Sequence, residues 1–432
     1  MRSPRRAKPA ERPESIGTPA RRAALRLLMS VLQQGRPLET ALEGAFVEVS
    51  APADRALARA IVAATLRRLP DLDALIDGAM TKMLPDDARA RMVLRLAMAQ
   101  VLVLGTPPHA AIGTALPLVE SGPRRLVHGV LSRLIREGAT LPELPTLPNP
   151  YAERWTSAYG AHTAERIAMT LAGEPPTDLS FRTPEEATAQ AEALDAASLA
   201  PGHLRTARRG GIADWPGFAE GQWWVQDLAA SLPARLLGDV AGKSVIDLCA
   251  APGGKTLQLA AAGAHVTAVD IAEKRIARLK ENLARTGLAA TTVTADARHW
   301  TPPGAVDHIL LDAPCSATGI FRRHPDVLHL KGSRNLAPLL ELQAELLDQA
   351  AGWLPPHGRL IYCVCSLEPE EGEQQIDAFL ARYDNFRLDP IKAEDLPAGI
   401  TPWREGWVRT LPSDLPEQGG MDGFFIARLA RK

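Results

Sequence analysis

The chain has 432 residues, 46% of them hydrophobic, and its 49 Lys and Arg nearly balance 50 Asp and Glu for a net charge of −1. That length allows two or three domains with ample cores, and the balance excludes a global basic field, so any nucleic-acid contact has to come from local patches. No apolar run reaches the roughly 18 residues of a membrane helix, and the 4 cysteines, at 249, 315, 363 and 365, have no metal-ligand spacing, which predicts a reduced, cytoplasmic protein without a bound metal.

Residues 1–17 form a basic tail with Arg2, Arg5, Arg6, Lys8 and Arg12 between prolines. It has no apolar segment and does not read as a secretory signal. A solvated arm is expected, with an RNA-touching arm as the alternative.

Residues 18–145 are expected to be helical throughout. Leu25, Leu28, Val31 and Leu32 recur at helical spacing, as do Leu57, Ile61 and Leu66. A helix over 86–104 carries Met92, Leu94, Leu96, Val101 and Leu102 and would be the buried centre of a bundle. Through Asp54-Arg55-Ala56-Leu57-Ala58 and the run from Ile61 to Leu66 this segment resembles the domain of the antitermination factor NusB. The resemblance implies RNA or protein binding rather than chemistry.

Four prolines within 141–150 favour an extended connector. A small α+β unit is expected over 146–235. Residues 179–183 read as a strand, and Thr183, Pro184 and Glu186 give the N-cap, first-turn proline and acid of a helix start. Arg182, Arg205, Arg208 and Arg209 accompany Trp215, Trp223 and Trp224. Either these make a stacking platform for RNA, or the tryptophans are core and the arginines a solvated face.

From 236 to 432 the chain alternates strand and helix. Strands are expected over 243–248, 265–270, 291–295, 307–312 and 358–364, with helices over 272–286, 335–353 and 368–382. The last helix would open on Glu368, Glu370 and Glu371, and 423–429 reads as a closing edge strand. The order is that of a class I, Rossmann-like α/β domain with ligands at the carboxyl ends of its strands.

Those ends carry polar groups: the turn around 247–256, Asp270, Asp296 and Asp312. Pro252, Gly253 and Gly254 break the first strand ahead of a helix, an arrangement that brings a ligand close to backbone N–H groups. An acid at the end of the second strand suits ribose hydroxyls. The pattern Gly-x-Gly-x-x-Gly is absent, so S-adenosylmethionine is preferred to a dinucleotide. Cys315 and Cys365 fall at the ends of neighbouring strands and can converge on one pocket. Paired thiols beside a methyl donor suit methylation of cytosine carbon-5: a thiolate adding to carbon-6 turns an inert ring into an enamine. Chemistry alone does not rank the two thiols.

Four ordered motifs, Cys249-Ala-Ala-Pro-Gly-Gly-Lys255, Asp312-Ala-Pro-Cys315-Ser-Ala-Thr-Gly, Arg323-His-Pro-Asp326 and Tyr362-x-x-Cys365-Ser, resemble the Sun/Nop2 family of RNA 5-methylcytosine methyltransferases. With the NusB-like domain in front, the chain is similar to the bacterial RsmB (Fmu) branch. The resemblance implies a 16S ribosomal RNA substrate, free or in the small-subunit particle. It implies that Cys249, Ala250, Ala251, Pro252, Gly253, Gly254 and Lys255 line the cofactor. Asp270 would hold the ribose, Asp296 the adenine side, and Asp312 would lie near the methyl and base. It makes Cys365 the nucleophile and Cys315 the residue that assists release. The family usually has threonine before the nucleophile, where this chain has Val364. Cys249 is expected to be structural as a thiol, and a monomer is favoured. The competing readings are an RNA-binding assembly factor with a vestigial methyltransferase fold, and a methyltransferase for protein or small molecules.

Overall fold

The computed structural model describes residues 17–330, 335–403 and 405–432. It divides into two compact units, one ending at Thr146 and one beginning at Leu147. The basic residues Arg2 to Arg12 lie outside the described residues.

The first unit is helical: α1 (Thr18–Leu32), α2 (Leu38–Ala45), α3 (Pro52–Arg67), α4 (Leu69–Gly78), α5 (Arg89–Leu102), α6 (Pro108–Ala115) and α7 (Ser121–Arg136). Helix α5 is its axis and packs against α1, α3, α4, α6 and α7. Every residue from Ala90 to Gln100 is buried, as a helix enclosed on all sides requires. Arg91 and Arg95 are among them. Each is held by a carboxylate of α4, Arg91 by Asp77 at 2.6 Å and Arg95 by Asp73 at 2.8 Å, so neither charge is left uncompensated.

The second unit opens with a helical hairpin, α8 (Tyr151–Tyr159) and α9 (Ala161–Met169). A small layer follows: β1 (Thr177–Phe181), α10 (Pro184–Gln190), β2 (Ala196–Ala200), β3 (His203–Thr206) and β4 (Trp223–Val225). These strands make an antiparallel sheet in the order β2-β3-β1-β4. Thr183 caps α10 as its sequence suggests, accepting from the backbone N–H of Glu186. Here the structure takes the core alternative for the aromatics. Trp215, Trp223 and Trp224 are 6%, 0% and 3% exposed, which leaves no stacking platform. Arg205 is buried too, in a two-pronged pair with Asp178. Arg208 and Arg209 are exposed.

The main sheet follows α11 (Leu228–Arg235). Its elements are β5 (Ser244–Leu248), α12 (Gly254–Ala261), β6 (His265–Asp270), α13 (Glu273–Thr286), β7 (Thr291–Thr294), β8 (His308–Asp312), α14 (Ala337–Trp353), β9 (Arg359–Val364), α15 (Glu373–Arg382), β10 (Phe386–Leu388), β11 (Val408–Thr410) and β12 (Phe424–Arg431). The strand order is β10-β12-β9-β8-β5-β6-β7, with β11 also on β12. Strands β5 to β9 are parallel to their neighbours, and β12 is antiparallel to β9. Both faces are covered, so the central strands are almost wholly apolar. Alternate residues feed two cores: Ile246, Leu248, Ile309, Leu311, Leu360 and Tyr362 on one side, and Val245, Leu310, Ile361 and Cys363 on the other. Each fully buried Leu or Ile contributes roughly 1.5–3 kcal/mol.

Two expectations are corrected. The closing strand is not an edge: β10 and β11, three residues each, pair with its outer side. The helix expected from 368 begins at Glu373, because residues 368–372 form turns closed by Glu371 N–H to Glu368 C=O and Gly372 N–H to Pro369 C=O. Among the described residues no helix is long and apolar enough to cross a membrane.

Candidate active site

The strand order reverses at β5, which has β6 on one side and β8 on the other. A crevice opens outside the carboxyl ends of strands at such a point. The turn after β5 fills its floor. Cys249 has φ 60° and Gly253 φ 108°, so the chain turns sharply and α12 starts at once. A Cβ on Gly253 would lie 3.0 Å from Leu279. Ala250 and Ala251 put their methyls into a core cluster, so the turn offers backbone rather than side chains to the crevice.

Asp270, at the end of β6, accepts from the N–H groups of Ala251 and Ala272 at 3.2 and 3.0 Å and pairs with Arg275. Asp296, just past β7, is gripped by Arg298 at 2.6 Å, and that hydrogen bond holds its carboxyl down at about 2. A slot runs between these acids, walled by Cys249, Ile271, Ala297, Pro314, Leu342 and Leu346. Ile271 is 65% exposed there, an apolar surface left open. Apolar walls between two acceptor carboxylates fit a nucleoside: the hydroxyls and amine donate while the base packs on Ile271. Below the turn, Asp247 accepts from Thr256 at 2.6 Å while its Oδ1 is buried without a hydrogen-bond partner. Burial pushes this carboxyl up to about 7.

Lys255, in the first turn of α12, reaches across to β8 and donates to Asp312 Oδ2 at 2.7 Å. Burial opposes its charge, but the Asp312 carboxylate outweighs it and the ammonium ends above its ordinary range. Three residues on, Cys315 faces Cys365, which follows β9: the two Sγ atoms are 3.5 Å apart. Backbone pairing continues past both strands and joins their loops, Ala313 N–H to Cys363 C=O and Gly319 N–H to Cys365 C=O, each 2.9 Å. The hydrogen bond to Cys365, with burial added, raises the Cys315 thiol well above its usual range. In this sulfur–sulfur contact either thiol can be the donor.

The other two cysteines behave differently. Cys363 is fully buried and 3.4 Å from Asp312 Oδ1, and burial raises its thiol well above the usual range. Cys363 and Cys365 border the same core, yet only Cys365 meets Cys315. Burial likewise pushes up the Cys249 thiol, an effect Asp312 and Asp270 reinforce. A high pKa makes a thiol a poor nucleophile at neutral pH.

Of the residues singled out in the sequence, Cys315, Cys365, Asp312 and Lys255 thus come together. Cys249, Asp270 and Asp296 line the adjoining slot, which Pro314, next to Cys315, helps to wall. Residues assigned no site role from the sequence complete the arrangement: Ser316, Ser366, Glu371 and Gln343 form a buried hydrogen-bonded group behind the thiols. Its one sequence signal is the repeat of Cys-Ser at 315–316 and 365–366.

Comparison with known proteins gives matches along both units. Residues 234–430 match the family described as 16S rRNA methyltransferase RsmB/F, and residues 18–136 match the NusB family. A ribosomal RNA small subunit methyltransferase B from Photorhabdus laumondii is 33% identical, with 93% of this chain and 96% of the relative covered. One from Salmonella typhi is 36% identical over the same shares. The crystal structure of a methyltransferase homologue from Pyrococcus horikoshii is 27% identical, with a TM-score of 0.55 over 70% of this chain and 98% of that one.

Proposed function

Because the chain belongs to the 16S ribosomal RNA methyltransferase family RsmB/F, we propose that it methylates carbon-5 of a cytosine in 16S ribosomal RNA through a covalent bond from Cys365 to carbon-6. Membership makes it an S-adenosylmethionine-dependent ribosomal RNA methyltransferase. The base, the thiol roles and the small-subunit RNA as substrate are the proposal.

S-adenosylmethionine, when bound, supplies an electrophilic methyl group. The slot between Asp270 and Asp296 would hold its nucleoside part, with the turn from Cys249 to Lys255 beneath. Cys365 adds as thiolate to carbon-6, and the ring electrons shift so that carbon-5 becomes nucleophilic. The target base has to leave its stack or come from a single-stranded segment. Asp312, held in place by Lys255, can accept from the exocyclic amine and so orient the ring. After carbon-5 is methylated, solvent water takes its proton, the electrons of that C–H bond re-form the 5,6 double bond, and the carbon-6–sulfur bond breaks to release Cys365 as thiolate. Cys315 assists by donating its S–H to the departing sulfur, which lowers the cost of that charge.

The observation that carries this reading is the 3.5 Å approach of the Cys315 and Cys365 sulfurs. It brings together the two thiols that the mechanism needs, and the order of their roles follows the family resemblance. The test is transfer of isotope-labelled methyl from S-adenosylmethionine into unmodified 16S ribosomal RNA, with digestion to nucleosides and mass spectrometry. Label in 5-methylcytidine is the expected result. Label in any other nucleoside discards the thiol mechanism.

A further inference from the structure

We infer that Glu371 is a positioning residue that fixes the spacing of Cys315 and Cys365 by clamping the serine that follows each of them. The inference rests on the functional reading above only for what the spacing achieves; the clamp itself is read from geometry.

Glu371 is fully buried. Its Oε1 accepts from the Ser316 N–H at 2.9 Å and from Gln343 Nε2 at 3.0 Å. Its Oε2 accepts from the hydroxyls of Ser316 and Ser366, both at 2.5 Å. All four partners are donors, the complement that a carboxylate with two lone pairs on each oxygen can accept. Hydrogen bonds to a charged acceptor are the short and strong ones. The two serines come from loops 50 residues apart in the chain, and their hydroxyl oxygens lie 3.0 Å from each other. One carboxylate therefore gathers both Cys-Ser pairs, and the thiol contact lies one residue upstream on each.

The clamp is itself fixed. Gln343, on α14, donates from the same nitrogen to the Pro314 carbonyl at 2.9 Å, so the Cys315 loop is gripped from both sides. Tyr362 of β9 donates its hydroxyl to the Glu371 carbonyl at 2.7 Å. Arg409, buried and in a two-pronged pair with Glu373, donates to the Ser366 carbonyl. Thr318 Oγ1 accepts the Leu367 N–H at 2.9 Å. Loose loops would hold neither thiol, because hydrogen bonds of a few tenths of an ångström tolerance are what keep a reacting pair aligned. A buried carboxylate with no role would be an expensive choice at this position.

The test is Glu371→Gln, which keeps shape but sets an NH2 group against donors. The readout is cross-linking of Cys315 to Cys365 by an azo oxidant, which takes up both thiol hydrogens as the sulfurs join, followed by peptide mass. It needs no RNA and no methyl transfer. The expected result is cross-linking about tenfold slower and kcat about 100-fold lower, with KM for RNA and cofactor binding near those of the parent and a lower melting temperature, because the amide nitrogen meets donors. Unchanged cross-linking overturns the clamp, even if activity falls; slower cross-linking with unchanged kcat overturns its importance for the reaction. Should Glu371→Gln not fold, Ser366→Ala removes one hydroxyl and leaves three of the four contacts. It is expected to slow cross-linking measurably, and an unchanged rate again overturns the proposal. If the parent places no methyl on cytosine, the functional reading fails while cross-linking still decides the clamp.

Discussion

Lys255 and Asp312 form an ion pair of 2.7 Å that joins the first turn of α12 to the end of β8. The lysine side chain is 9% exposed and the aspartate 31%, so one charge is sunk and the other stands at the mouth of the crevice. The pair links the turn after β5 to the strand that leads into Cys315.

Lys255→Met keeps the apolar stem and removes the ammonium. Water reaches Asp312, so the lost pairing should cost about 1–2 kcal/mol rather than the 3–5 of a fully enclosed pair. Denaturant unfolding measures that loss. Methyl transfer should fall by about tenfold or more, since Asp312 loses the partner that orients it. Full activity in this variant would detach Asp312 from the reaction.

Asp247 predicts a dependence of stability on pH. Burial raises its carboxyl from an ordinary 3.8 to about 7. The folded chain thus holds a proton that the unfolded chain releases. The stabilisation is complete below the unfolded value and is lost as pH rises toward 7, by an amount on the order of a few kcal/mol. Asp247→Asn should flatten that slope between pH 4 and 7. Asp422, raised to about 7 mainly by burial, slopes the same way in both proteins, so the difference isolates Asp247. Unfolding free energies at four or five pH values decide it: parallel curves for parent and variant would refute the raised carboxyl.

Much of this architecture is legible in the residues. Val245-Ile246 and Ile309-Leu310-Leu311 are apolar runs that end in a turn or an acid, and a parallel sheet covered on both faces has no other way to read. Strands β10 and β11 are not legible: three residues each in a segment with many prolines show no period. Their absence made β12 look like an edge. Glu368, Glu370 and Glu371 suited a helix start by composition. Composition does not say that Glu371 turns inward to two serines. The tryptophans were undecidable for the same reason, since an aromatic beside arginines has the same letters in a core and on a platform. The thiols were locatable from strand ends, but their order was not. The contact between them is symmetric, so their order follows from the family resemblance.

Gly319 tests how closely the loops must approach. A Cβ there would lie 1.9 Å from the Gly423 carbonyl oxygen, whose residue donates its N–H to Gly319 C=O at 2.9 Å. Backbone on both sides leaves no flexible side chain to give way. Gly319→Ala should cost about 1–3 kcal/mol by overpacking. Because Gly319 also donates to the Cys365 carbonyl, the cross-linking of the two thiols should slow as well. A variant as stable and as readily cross-linked as the parent would show that the loop moves freely.

The thiols themselves give the sharpest contrast. In the proposed mechanism Cys365→Ser replaces the nucleophile by a hydroxyl that does not ionise near neutral pH, and methyl transfer should drop by more than about 10³-fold. Cys315→Ser leaves the nucleophile in place but weakens the donor that receives it on departure. Attack then proceeds and expulsion lags, so a protein–RNA adduct should accumulate and survive denaturing electrophoresis. The same adduct should be missing from Cys363→Ser, because Cys363 faces Asp312 and not the other loop. Adduct in Cys365→Ser instead of Cys315→Ser would reverse the roles. Adduct in neither, with methyl transfer intact in both, would remove covalent catalysis and leave the thiols as packing.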